Sequence, residues 1–141
     1  MDEGEPPVRS FRFPIELGKI RELSRATWTE APEVLDGTVI PPTFLYGARM
    51  WDDEAPEQRP ADPGDRGRLH AEQEFVFHGP PPGAGAVLTV STRVDPEYEK
   101  RGRRGGLMSF QLVVTEYRDP DGRLVAEARQ LGVRTSAEAG G

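Results

Sequence analysis

With 141 residues, the chain has room for one domain and a buried core. A net charge of −6 and a pI of about 5.0 argue against duplex nucleic acid as a partner. The absence of cysteine excludes disulfides, thiolate catalysis and cysteine-held zinc.

No apolar run approaches the roughly 20 residues that a membrane span needs. The opening Met1-Asp2-Glu3-Gly4-Glu5 lacks the character of a signal peptide, so a soluble cytoplasmic protein is expected. Lys19 and Lys100 are the only lysines among 18 basic residues, a bias that suggests a GC-rich bacterial genome.

Residues 1–9 are acidic and proline-rich and read as a flexible tail. Phe11-Arg12-Phe13 suits a short strand before Pro14. Leu17, Ile20, Leu23 and Thr27 recur at helical spacing, which predicts a helix over 18–28 with one face against a sheet. Residues 30–68 are poor in regular structure. Within them Val39 to Tyr46 is an apolar patch broken by Pro41-Pro42, read either as a buried extended segment or as the lead into a short helix over 45–51. Asp52 to Arg68 reads as a long exposed loop.

Leu69 to Val94 carries the strongest pattern. Phe75, Val76 and Phe77 are strand formers. Three prolines and three glycines between 79 and 85 forbid a regular element, and a second strand follows, with Leu88, Val90 and Val94 on one face. The stretch predicts a hairpin. Lys100, Arg101, Arg103 and Arg104 then sit among glycines. A phosphate clamp and a solvated turn both fit this cluster, and composition alone favours the turn.

Leu107 to Arg118 alternates again. Met108, Phe110, Leu112 and Val114 share one face, and Ser109, Gln111 and Thr115 the other. Asp119-Pro120-Asp121-Gly122 is a turn signal with a mechanism, since proline presets one φ and glycine accepts a positive one. It predicts a hairpin of 107–118 with 123–135. Leu124, Ala126 and Ala128 differ in parity from Leu131 and Val133, which a bulge near Arg129 or Gln130, or the flexibility of Gly132, would reconcile. The expected architecture is α+β: one early helix, an ambiguous apolar segment and four strands in a meander. The domain is expected over 10–135, with a second flexible tail over 136–141.

Several of these motifs together resemble a known family. They are Lys19 to Ala26, Pro41-Pro42-Thr43-Phe44, His70-x-x-Gln73-x-Phe75-x-Phe77-His78-x-Pro80, and the final hairpin through Asp121-Gly122 to Gly132. In order and spacing they resemble the MaoC-like N-terminal dehydratase domain, over about residues 11–135. The turn at Gly85-Ala86 departs from that family's usual Ala-Gly-Asp. The resemblance implies a single hot-dog domain, an antiparallel sheet wrapped around a central helix, with residues 39–51 as the candidate for that helix. It implies action on acyl thioesters of coenzyme A or acyl carrier protein, as an (R)-specific enoyl-thioester hydratase or 3-hydroxyacyl-thioester dehydratase. It also implies a homodimer, or a heterodimer in which a catalytic MaoC-like subunit supplies an Asp/His dyad.

The chemistry of that family needs a base to activate water and an acid to protonate the α-carbon. The hydratase signature Asp-x-Asn-Pro-x-His is absent here. Asp65 and His70 keep its Asp-to-His spacing without the Asn-Pro, and they are the acid/base candidates. Gln73, Tyr46, Arg49 and Trp51 are candidates for substrate binding. A non-catalytic acyl-thioester-binding or scaffolding subunit is the first alternative. A thioesterase using Glu72 or Asp65 to activate water is the second. No cofactor or metal is expected, because His70 and His78 share a face but stand about 26 Å apart at strand rise.

Overall fold

The computed structural model describes residues 8–54 and 68–135. Most of the predicted loop, Asp65 included, the predicted first tail as far as Pro7 and the whole predicted second tail from Ser136 onward lie outside the described residues.

The chain opens with β1 (Ser10–Pro14), followed by α1 (Leu17–Ala26) and a short α2 (Pro32–Leu35). A ten-residue 3-10 helix, Pro42–Trp51, comes next and is called the central helix. Five more strands follow: β2 (Leu69–Phe77), β3 (Val87–Val94), β4 (Tyr98–Arg101), β5 (Leu107–Arg118) and β6 (Leu124–Thr135). They form one antiparallel sheet in the order β1-β3-β5-β6-β2, with β4 added beside β5.

The helices lie against one face of the sheet. Phe13, Leu88, Val90, Tyr117, Ala126 and Ala128 from the strands meet Ile20 of α1 and Phe44, Leu45 and Ala48 of the central helix. Phe13 and Phe44 stack with centroids 5.7 Å apart. Tyr117 donates its hydroxyl to the Leu45 carbonyl at 2.8 Å, which ties β5 to the helix above it. Burial pushes the Tyr117 phenol up from its ordinary value, so it stays a donor.

Three sequence expectations are corrected. First, β2 and β3 do not form a hairpin: β2 pairs with β6, whereas β3 lies between β1 and β5. The proline-rich connection is anchored elsewhere instead. Ile40 donates to the Pro82 carbonyl, Ala84 to Gly37, and Gly85 to Ile15. Gly83 lies so close to the backbone of Thr38 that a Cβ would stand 2.4 Å from its carbonyl oxygen. These contacts pull the connection across to α2, and the four strands are no simple meander.

Second, β6 keeps its register with β5 unbroken from Ala126 to Thr135. The bulge is in the partner strand β2, between His70 and Glu72. Leu131 and Val133 change parity because they lie on the outer face, opposite Leu112 and Phe110. Third, that bulge puts His70 opposite Gly132 on the helix-facing side and leaves His78 on the other, so the two histidines do not share a face.

The β5–β6 hairpin follows the turn chemistry. Gly122 takes φ +82° and donates to the Asp119 carbonyl. The Asp119 carboxylate accepts from the backbone N–H groups of Asp121 and Arg123, each at 3.0 Å.

Candidate functional site: a cleft under the central helix

Directly opposed residues of neighbouring strands share a face. The helix-facing side of the sheet therefore carries Gln73, Thr92, Val113, Thr115 and Gln130 beyond the point where the core ends. Together with Tyr46, Ala48, Arg49 and Asp52 of the central helix and its end, they bound a cleft of about 350 Å³. That is within the size range of small-molecule sites.

Its floor is polar. The hydroxyls of Thr92 and Thr115 are 3.2 Å apart. The Gln73 amide nitrogen approaches the Glu74 carbonyl at 3.5 Å, while its oxygen is buried with no partner among the described residues. At the mouth, Arg49 donates to the Tyr46 hydroxyl at 3.1 Å and lies over its ring. Asp52, the carboxylate of the cleft, is gripped by both arms of the Arg9 guanidinium at 2.7 and 2.8 Å. Such a bidentate pair leaves it a fixed counter-charge rather than a free base.

Of the sequence candidates, Tyr46, Arg49 and Gln73 come together here. Trp51 does not. It lines a separate apolar groove of about 660 Å³ between α1 and the central helix, where Met50, Leu23 and Phe44 join it, and Tyr46 borders both spaces. His70 is exposed near the start of the edge strand β2, its Nε2 3.1 Å from the Glu72 carbonyl oxygen. Among the described residues no His, Asp or Glu cluster has the makings of a metal site.

Thr92, Gln130 and Asp52 were not singled out from the sequence. A signal was present only in the strand between the first two: β5, flanked by β3 and β6, has apolar residues at both parities, Val113 and Tyr117 as well as Leu112 and Val114. A strand covered on both faces turns its polar side chains into a cleft rather than into solvent. Nothing local pairs Arg9 with a carboxylate 43 positions away.

A six-stranded antiparallel sheet folded over a central helix defines a hot-dog protein, here with its cleft between helix and sheet. Sequence comparison narrows this further: the model of the FAS1-like dehydratase domain region matches residues 6–128, and the chain belongs to that family. Among solved structures it is similar to the C-terminally truncated HadBC (3R-hydroxyacyl-ACP dehydratase) complex of Mycobacterium tuberculosis. That match has 22% identity and a TM-score of 0.61, covering 94% of this chain and 99% of the other. It is also similar to the ChsH1–ChsH2 complex of the same organism, with 17% identity, a TM-score of 0.66 and coverage of 96% and 86%. The (R)-hydratase PhaJ1 of Pseudomonas aeruginosa matches at 13% identity and a TM-score of 0.59, covering 95% and 86%. No curated protein matches the chain by sequence.

Proposed function

We propose that the chain is the substrate-holding subunit of an (R)-specific enoyl-thioester hydratase or 3-hydroxyacyl-thioester dehydratase. The acyl thioester lies in the cleft under the central helix, and a second hot-dog subunit supplies the acid and base. The observation that carries this reading is the state of the cleft's ionisable groups. Its carboxylate is locked by Arg9, and His70 stands outside it with its ring on a backbone carbonyl. Hydration needs a base for water and an acid for the α-carbon. The described cleft offers neither, but it offers hydrogen-bonding groups to a thioester on Gln73, Thr115 and Arg49. Two of the structural relatives are themselves complexes.

Among the described residues β2 is paired on one side only, by β6, and its other edge is the surface for that second subunit. It is nine residues long, with Leu69 61% exposed at its start, and an unpaired edge of this length invites strand addition. In isolation the edge pairs with a second copy, giving a homodimer, and a monomer by light scattering would count against this. No helix among the described residues is long and apolar enough to cross a membrane. The cytoplasm, where acyl thioesters are handled, is the proposed location.

The alternative is a self-sufficient enzyme built on His70 and Asp65. It is favoured by the bulge that turns His70 to the cleft side of β2. One experiment separates the two: turnover of crotonyl-CoA and a longer 2-enoyl-CoA by the purified chain, beside His70→Ala. The subunit reading expects binding without turnover. Turnover abolished in His70→Ala would establish the self-sufficient enzyme instead. Release of free coenzyme A thiol would mark a thioesterase.

A further inference from the structure

We infer that the arginine turn between β4 and β5 takes the phosphate of a phosphopantetheine arm, with the arm laid along the cleft-facing side of β5 and β6. The inference rests on the reading that the cleft holds an acyl thioester, and it names the group that carries the acyl chain.

In the sequence these cations looked like a solvated turn. Folding adds to them and gives them a direction. Gly102 donates to the Gly106 carbonyl at 2.7 Å and Gly105 to Gly102 at 3.0 Å, so the turn is tightly closed, with Arg103 and Arg104 exposed at its tip. Arg134 of β6 joins from the far end of the chain, because it pairs in register with Ser109. None of Arg101, Arg103, Arg104 and Arg134 has a carboxylate partner among the described residues. Arg9, Arg68, Arg93, Arg118, Arg123 and Arg129 all have one, and Arg12, Arg21 and Arg25, which have none among the described residues, are spread over β1 and α1 rather than gathered at a turn. In a chain of net charge −6, a cluster of unpaired arginines is a local anion site rather than a general basic surface. Beside it, at the end of β5 and β6, Arg103 and Arg104 of the turn and Leu107 of the cleft parity meet Met108 and Thr135 of the outer parity around a hollow of about 370 Å³.

The cleft and the turn are joined by one strand. Val113 lines the cleft and Leu107 the hollow, six positions apart on β5. At a rise of about 3.3 Å per residue that is about 20 Å, the span of an extended arm from thiol to phosphate. Two buried polar atoms without partners are found on the same side of the sheet: the acceptor Gln73 Oε1 and the donor Arg68 Nη1. A buried polar atom left unpaired is costly, and the arm's two amides offer both a donor and an acceptor. Arg68 reaches this position by crossing over Gly132, where a Cβ would meet its side chain at 2.6 Å. Its other nitrogen pairs with Glu97, which also accepts from Ser109.

The test is calorimetric titration of the full chain with crotonyl-pantetheine, crotonyl-phosphopantetheine, crotonyl-CoA and a crotonyl-loaded acyl carrier protein. The phosphate is expected to tighten binding at least tenfold over crotonyl-pantetheine. In the Arg103→Ala/Arg104→Ala variant, its fold checked by circular dichroism, the phosphorylated and unphosphorylated probes are expected to bind equally. Equal affinities in the wild type, or a phosphate gain that survives in the variant, would overturn the inference while leaving the cleft reading standing. Failure of every probe to bind would overturn both. A further gain with crotonyl-CoA identifies coenzyme A as the source of the phosphate, and a further gain with the loaded protein identifies a carrier.

Discussion

The two faces of β5 and β6 treat polar groups differently. On the outer face the charges satisfy one another along and across strands. Glu116 meets Arg118 at 3.1 Å and Arg93 at 3.9 Å, and buried Glu127 meets His78 at 2.8 Å and Arg129 at 3.8 Å. Farther along the same face Tyr98 and Phe110 stack at 5.3 Å. On the cleft face, Gln73 Oε1 and Arg68 Nη1 are buried and unpaired, and Arg134 beyond them has no carboxylate partner among the described residues. Arg129 Nε is the outer face's own unpaired atom, although the same guanidinium is held to Glu127. The outer face closes most of its polar network internally, whereas the cleft face keeps a donor and an acceptor open, as the proposed binding role requires.

The largest expected contrast is in packing. Leu88, 2% exposed beneath the helices, should lose about 3 kcal/mol on substitution by alanine, because the rigid core cannot fill the cavity. Leu112→Ala, on the half-covered outer face, should cost about 1 kcal/mol for the area it buries. Urea unfolding midpoints for both variants measure the difference, and equal losses would dissolve the distinction between the faces.

Next is Tyr117→Phe, which strands the buried Leu45 carbonyl and should cost about 2 kcal/mol. Its pH dependence has a definite sign. A phenol whose ionisation is suppressed by folding contributes stability fully below its ordinary value of 10.0 and loses it as pH rises beyond. Wild type should therefore lose stability above about pH 10 by a component that Tyr117→Phe lacks. Parallel curves for the two proteins would refute this.

On the outer face, Glu127→Ala breaks the contact to a His78 that is itself 40% exposed, so solvent screening holds the expected loss to about 1 kcal/mol. The smallest stability effect belongs to the cleft. Gln73→Leu removes a buried oxygen that has no partner, and should leave stability within about 0.5 kcal/mol of wild type or raise it. The same variant should bind crotonyl-pantetheine several-fold more weakly. A large loss of stability would mean that Gln73 is a structural residue, and the cleft would lose its main polar anchor.

Much of the fold was legible beforehand because its signals are local. Helical spacing placed α1, β-branched and aromatic runs placed β2, β3 and β5, and Asp119-Pro120-Asp121-Gly122 fixed the last hairpin. The family motifs implied the hot-dog arrangement and picked out Tyr46, Arg49 and Gln73, which do converge. They also picked out Trp51 and His70, which stand apart from the cleft.

The residues alone therefore placed α1, β2, β3, β5, β6 and the last hairpin, since periodicity and turn chemistry act over a few neighbours, but they gave no sign of α2 or β4. Three features were decided only by the tertiary structure. β2 takes β6 as its neighbour, with Leu69 opposite Val133. The polar parity of β5 faces the helices. Arg68 and Arg134 gather toward a turn that the sequence showed only as a run of cations. Each depends on pairing between segments far apart in the chain, and alternation along one strand carries no information about which strand will lie beside it or which face the helices will cover.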